Sequence, residues 1–215
     1  MNFNFITFIL NKLFSKQFTS KQLYKTPEPI SKPPDEPKPS NEQSATIYAI
    51  PTIIGIVNDL PKHSTRKWNQ RKIQNIKKII VHHSDTTATD DGFKDIEQIA
   101  KYHTSPNHIS PQGCPGICYS LMISKNGAIY QTNEFTSVTW HCKGQNVNSL
   151  GVCLLGGFQG QSVDERQSVT LGTLLRYLII MFKLTKQDVF GHRDFSSTEC
   201  PGQEIYDWLQ TWKKQ

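Results

Sequence analysis

The sequence predicts an α/β domain in which a central mixed β-sheet is flanked by helices, and three observations predict it. Two short apolar runs, Ile76 to His82 and Leu150 to Leu155, have the length and side-chain types of buried strands. Two longer stretches, Asp90 to His103 and Asp164 to Phe182, repeat apolar residues at helical spacing. Strand-like and helix-like stretches alternate along the chain, the order that builds a sheet with helices on its faces.

The 215 residues are 36% hydrophobic, enough for one domain of about 150 residues with extensions. Residues 1–24 carry Phe3, Phe5, Ile6, Phe8, Ile9, Leu10, Leu13 and Phe14 together with Lys12, Lys16 and Lys21. That is a basic amphipathic segment, which predicts contact with a membrane surface or a virion partner. Asn4, Thr7, Asn11 and Lys12 interrupt it, and it falls short of the roughly 20 apolar residues of a spanning helix. No positive charge precedes the run and no small-residue cleavage site follows it, so a signal peptide fits poorly. Residues 25–45 hold Pro27, Pro29, Pro33, Pro34, Pro37 and Pro39, a composition that makes a semi-rigid linker. The folded domain is expected over 46–215.

Within it, Thr46 to Val57 is β-branched and broken by Pro51 and Gly55, predicting one or two short strands. Ile76 to His82 is the first core strand. In the helix from Asp90 to His103, Phe93, Ile96, Ile99, Ala100 and His103 share one face. Thr104 to Cys118 is a loop that leads into a strand at Tyr119 to Ile123. Lys125-Asn126-Gly127-Ala128 predicts a hairpin turn, returning as a paired strand over Ala128 to Gln131. Val138 to His141 and Leu150 to Leu155 are two further strand candidates, the second apolar enough to be central. A long helix over Asp164 to Phe182 and a short one over Ile205 to Trp212 close the chain.

The chemistry concentrates in Val189 to Gly202. There His192 precedes Cys200 by eight residues, on a loop bounded by Gly191 and Pro201-Gly202. Imidazole nitrogen and thiolate sulfur are donors zinc prefers, and a catalytic zinc needs three protein donors with one position open. The third candidate lies in Lys78 to Thr86, a strand ending in His82 and His83. Side chains alternate along a strand, so only one of the two can face the site, and spacing alone leaves either. His103 reads as a packed histidine at a helix end, and His63 and His108 as exposed loop residues. Cys114 and Cys118 flank a Pro-Gly turn and would bridge only if their Cβ atoms come within about 4.5 Å. Cys142 and Cys153 read as plain thiols, so the cysteines establish no oxidising compartment. A net charge of +6 and a pI of about 9.0 suit a polyanionic partner. No paired Cys/His finger or RNA-binding signature accompanies the charge, so no nucleic acid is expected.

Five blocks then occur in order: Ile80-Val81-His82-His83-Ser84; Pro115 to Ile123 with Asn126-Gly127; Thr139-Trp140-His141; Asn148-Ser149-Leu150-Gly151-Val152; and Gly191-His192-Arg193 through Thr198-Glu199-Cys200-Pro201-Gly202. Together they resemble the zinc-dependent N-acetylmuramoyl-L-alanine amidases, a family that includes phage amidase-type lysozymes and the peptidoglycan recognition proteins. The likeness spans about Arg66 to Trp212. It implies the same α/β architecture, Zn2+ as cofactor, and His82, His192 and Cys200 as the metal ligands. It further implies three catalytic candidates: Tyr119 as the active-site tyrosine, His141 beside the substrate groove, to hydrogen-bond substrate or pass a proton to the leaving amine, or else merely to line the groove, and Thr198, to position water or substrate, standing where recognition proteins carry threonine and phage lysozymes lysine. Asp194 is a candidate partner for a metal-binding or neighbouring side chain, and Glu199 receives no role. The implied activity is hydrolysis of the amide between N-acetylmuramic acid and L-alanine in peptidoglycan, at the bacterial cell wall, as a phage-encoded lysin or an extracytoplasmic enzyme. The alternatives are a module that binds muropeptide without cutting it, and an inert amidase-like domain carried by the N-terminal segment.

Overall fold

Six strands line up in the order β1-β4-β3-β5-β2-β6, and every neighbouring pair is parallel except β3 and β4. The structure, a computed structural model, describes residues 50–215. The expected amphipathic segment 1–24 and linker 25–45 lie outside the described residues. The strands are β1 Ile53–Gly55, β2 Lys78–His83, β3 Leu121–Ile123, β4 Ile129–Gln131, β5 Ser149–Leu154 and β6 Val189–Gly191. The helices are α1 Gly92–Thr104, α2 Glu165–Met181 and α3 Gln203–Lys214.

Alternation along β2 and β5 divides the apolar residues between two cores. Ile79 and Val81 of β2, Leu150, Val152 and Leu154 of β5, and Leu121 and Ile123 of β3 face α2 and α3. There they meet Leu171, Leu174, Leu175 and Leu178, then Ile205, Leu209 and Trp212. Met122 and Cys153 join Ile96, Ile99 and Ala100 of α1 in the second core. Each fully buried leucine contributes about 1.5–3 kcal/mol, so both layers are held mainly by apolar burial. Helix starts are fixed by carboxylates: Asp91 accepts from the Lys94 N–H, and Asp164 from the Arg166 N–H.

β5 is central and wholly buried, as its apolar run predicts. Three elements differ from expectation. Val138 to His141 forms no strand; its Val138 N–H donates to Asn69 O in the segment before β2, and the neighbouring Thr136 carbonyl accepts from Arg71 N–H, each at 2.8 Å. β6, three residues long, has no period a sequence reader could use. The β3–β4 connection runs over residues 124–128 with only Gly127 at positive φ (84°), so it is a longer turn in which glycine takes the left-handed position.

Candidate metal centre

Strand register brings the chemistry together. β2 and β6 are parallel with Val81 opposite Gly191, so the first residue after β6, His192, arrives beside His82, their ring centroids 4.5 Å apart. Both lie at the carboxyl ends of parallel strands, where open α/β sheets place their sites. The turn His192–Asp194 is held by Asp194, which accepts from the Gly191 N–H (2.9 Å) and from the Tyr206 hydroxyl (2.7 Å). Asp194 therefore shapes the backbone that presents His192. Gly191 has to be glycine here, because a Cβ would lie 2.9 Å from the Tyr206 ring. Arg193 lies over Tyr206, donates to Gln203 Oε1 (2.7 Å) and to the Glu199 carbonyl, and its N–H reaches the Cys200 carbonyl at 2.9 Å. Those contacts turn the loop so that Cys200 returns to the histidines.

The donor atoms of His82, His192 and Cys200 lie within 4.8 Å of one another. His82 Nδ1 is 3.6 Å from Cys200 Sγ. Tetrahedral bonds of about 2.05 Å to nitrogen and 2.3 Å to sulfur require an N···S separation of about 3.6 Å, so the pair is spaced for one shared zinc-sized ion. Burial, reinforced by His141, His192 and His83, holds the His82 imidazolium well below its ordinary range. Burial followed by His83 lowers His192 as well, so two neutral imidazoles are available as donors. Burial pushes the Cys200 thiol up to about 12, against the opposing pull of the His83 N–H, which points at Sγ from 3.4 Å. His82 is buried whereas His192 and Cys200 are half-buried, so the donor set has an inner wall and an open side. His83 faces away and accepts from the Phe158 N–H (3.2 Å), so His82 is the one of the two grouped with His192 and Cys200.

Tyr119 is half-buried with its ring 5.2 Å from that of His82. Burial, then the neighbouring cysteines, raises the phenol well above its ordinary range, so it stays a donor at any physiological pH. Thr198 is exposed and its Oγ1 accepts from the Cys200 N–H at 3.2 Å, leaving its own proton free to donate. His141 is 6% exposed, with Nδ1 3.0 Å from His82 Nε2 and Nε2 3.1 Å from Ser149 Oγ. His103 is buried and accepts from the Cys118 N–H (3.0 Å), as the packed reading requires. His108 is exposed, but His63 is half-buried and fixed: Nδ1 accepts from the Thr65 and Arg66 N–H groups and Nε2 meets the Gln112 carbonyl. Cys114 and Cys118 are free, buried thiols.

Sequence reasoning overlooked the residues that support this centre. Ser149 and Gly151 lie on the same face of β5 under His141, and a Cβ on Gly151 would come 2.7 Å from His141 Cγ. Arg71, buried before β2, donates to the carbonyls of Phe135, Asn146 and Ser149. The Asn148-to-Val152 block was visible as a motif, but only the strand pairing shows what it touches.

A family model described as N-acetylmuramoyl-L-alanine amidase matches residues 70–203. A human N-acetylmuramoyl-L-alanine amidase is 29% identical over 107 residues, 49% of this chain and 19% of the relative. Peptidoglycan-recognition protein SC1a of Drosophila melanogaster is 26% identical over 106 residues, 49% of this chain and 57% of the relative. The matched stretch thus spans about a fifth of the mammalian protein and little over half of the fly one. Among solved structures, bumblebee PGRP-SA aligns with a TM-score of 0.65 at 23% identity, covering 76% of this chain and 96% of that one, which shows a shared fold. The N-acetylmuramoyl-L-alanine amidase LysC from Clostridium intestinale URNW aligns with a TM-score of 0.57 at 25% identity, covering 75% and 97%.

Proposed function

The chain belongs to the N-acetylmuramoyl-L-alanine amidase family, and from that premise we propose that it is a zinc-dependent hydrolase cleaving the amide between N-acetylmuramic acid and L-alanine of peptidoglycan. The observation that carries this reading is the His82–His192–Cys200 set, with nitrogen and sulfur donors at the spacing a single tetrahedral ion needs. A zinc ion held by these three side chains would supply a nucleophile from water near neutral pH and polarise the scissile carbonyl.

The chain's own residues do the rest. Tyr119, beside His82 and protonated throughout the working range, donates a hydrogen bond to the oxyanion that forms as the carbonyl is attacked. Thr198, on the exposed rim, holds its oxygen toward the Cys200 N–H and turns its proton toward the attacking water or the substrate. It cannot neutralise charge as a lysine would, so its contribution is orientation. The substrate is drawn to the domain by net positive charge, and residues 1–24 tether the chain at a membrane surface or virion. A recognition module without hydrolysis is the second reading, supported by the likeness to peptidoglycan recognition proteins. The presence of Cys200 beside both histidines favours the hydrolase.

The test is release of new amino termini from purified peptidoglycan by the full chain, with zinc, after chelation, and as Cys200→Ser. Release with zinc alone, absent in the other two arms, is expected. Binding of muropeptide without release by the zinc-loaded wild type overturns the hydrolase in favour of the recognition module.

A further inference from the structure

The hydrogen atoms around His141 can be assigned one at a time. The Ser149 hydroxyl donates to the Gln145 carbonyl at 2.7 Å, and a carbonyl only accepts. Its single proton is thereby used, so at the 3.1 Å contact with His141 Nε2 the serine oxygen accepts and the imidazole donates. His141 lies buried, with hydrogen bonds to Ser149 and His82 and a carbonyl at the end of the chain of contacts. A neutral ring with its proton on Nε2 has a lone pair on Nδ1. That lone pair faces His82 Nε2 at 3.0 Å, so His82 Nε2 carries the proton and His82 Nδ1 is left with its lone pair, directed to the side where Cys200 Sγ lies 3.6 Å away.

We infer that His141 is a positioning residue: it sets the His82 tautomer through a neutral relay, His82 to His141 to Ser149 to the Gln145 carbonyl, so that Nδ1 is free for the metal. This rests on the reading of His82 as a zinc ligand. Metal-binding histidines ordinarily donate their second nitrogen to a carboxylate, a backbone carbonyl or water, and that partner fixes ring and tautomer. Here another imidazole takes the place and passes the proton demand on to a backbone carbonyl. Both ring nitrogens of His141 are engaged, so neither is left to exchange a proton with substrate. Two further features are built for this arrangement. Gly151 leaves the space the ring occupies, since a Cβ there would stand 2.7 Å from Cγ and 3.0 Å from Nδ1. Arg71 donates to the Asn146 and Ser149 carbonyls (2.7 and 2.6 Å), on the backbone on either side of the Ser149-to-Gln145 bond.

The deciding experiment is a long-range proton–nitrogen correlation spectrum of the imidazoles in the metal-free, nitrogen-15-labelled full chain. The Nε2–H tautomer is expected at both His82 and His141; an Nδ1–H tautomer at His82 overturns the inference without recourse to any variant. Zinc affinity, measured by competition with a chromophoric chelator, supplies the second readout. His141→Leu should bind zinc about 10- to 100-fold more weakly. His141→Asn, whose side-chain oxygen can still accept from His82 Nε2, should recover part of that loss. Equal affinities for wild type and both variants, or a leucine variant that binds as well as the asparagine one, contradict the relay. If zinc fails to bind the wild type, the hydrolase reading falls, and the tautomers still decide this inference separately.

Discussion

Replacing Arg71 by methionine keeps the aliphatic stem and removes the donors, and its cost follows from the contacts. Arg71 is 6% exposed and its guanidinium makes three short hydrogen bonds, to Phe135 O (2.9 Å), Asn146 O (2.7 Å) and Ser149 O (2.6 Å). Charged hydrogen bonds contribute about 1.5–3 kcal/mol each, which gives a gross loss of about 5–9 kcal/mol. Against this, burial lowers the Arg71 pKa from 12.5 to about 10. That shift corresponds to about 3 kcal/mol of desolvation relieved when the charge is removed. The net destabilisation is therefore about 2–6 kcal/mol. Urea denaturation of the full chain, with linear extrapolation and an unchanged slope, measures it. A loss below about 1 kcal/mol would refute the view that this one side chain ties the 135–149 loop to the strand before the metal centre. Zinc affinity should fall in the same variant, because the loop carries His141.

The other expectations are more local. Tyr119→Phe should lower kcat about 100-fold, the scale of losing an oxyanion donor, with zinc affinity unchanged, since the phenol lies beside the three proposed ligands and not among them. Thr198→Ala should lower kcat about 10-fold, again without loss of zinc, if its hydroxyl orients and does not ligate. His103 is lowered to about 4 by burial, against about 6.5 when unfolded, so the unfolded chain binds the extra proton between those values. Its contribution is fully present above pH 6.5 and is lost as pH falls through 4, about 3 kcal/mol in all. His103→Gln should flatten that part of the stability–pH curve, and an unaltered curve would contradict the assignment.

The parts of this molecule that were legible in the sequence are those encoded by period or by donor chemistry. α1, α2 and β5 announce themselves through apolar spacing, and His192 and Cys200 through their chemistry on a glycine- and proline-bounded loop. The choice of His82 over His83 came only with the family resemblance, because alternation says that one faces the site without saying which; in the structure His83 is taken by the Phe158 N–H. β6 was not legible: three residues have no period, and pairing with β2 makes them a strand. The reverse holds for Val138 to His141, whose composition suits a strand but which pairs with no strand, its Val138 N–H going to the Asn69 carbonyl. The relay through Ser149 was hidden because hydrogen-bond direction is a property of assembled atoms, and residues 145, 149 and 141 lie in one short stretch with nothing in their types to mark it.

The central claim is that the three donors make a metal site that cuts one particular amide. Its most direct test is mass spectrometry of a defined muropeptide incubated with the zinc-loaded full chain. Two products are expected, a muramic acid with a free lactyl carboxylate and a peptide with L-alanine at its amino terminus. Cleavage at any other bond, or recovery of the intact muropeptide from a zinc-loaded protein that binds it, would contradict it.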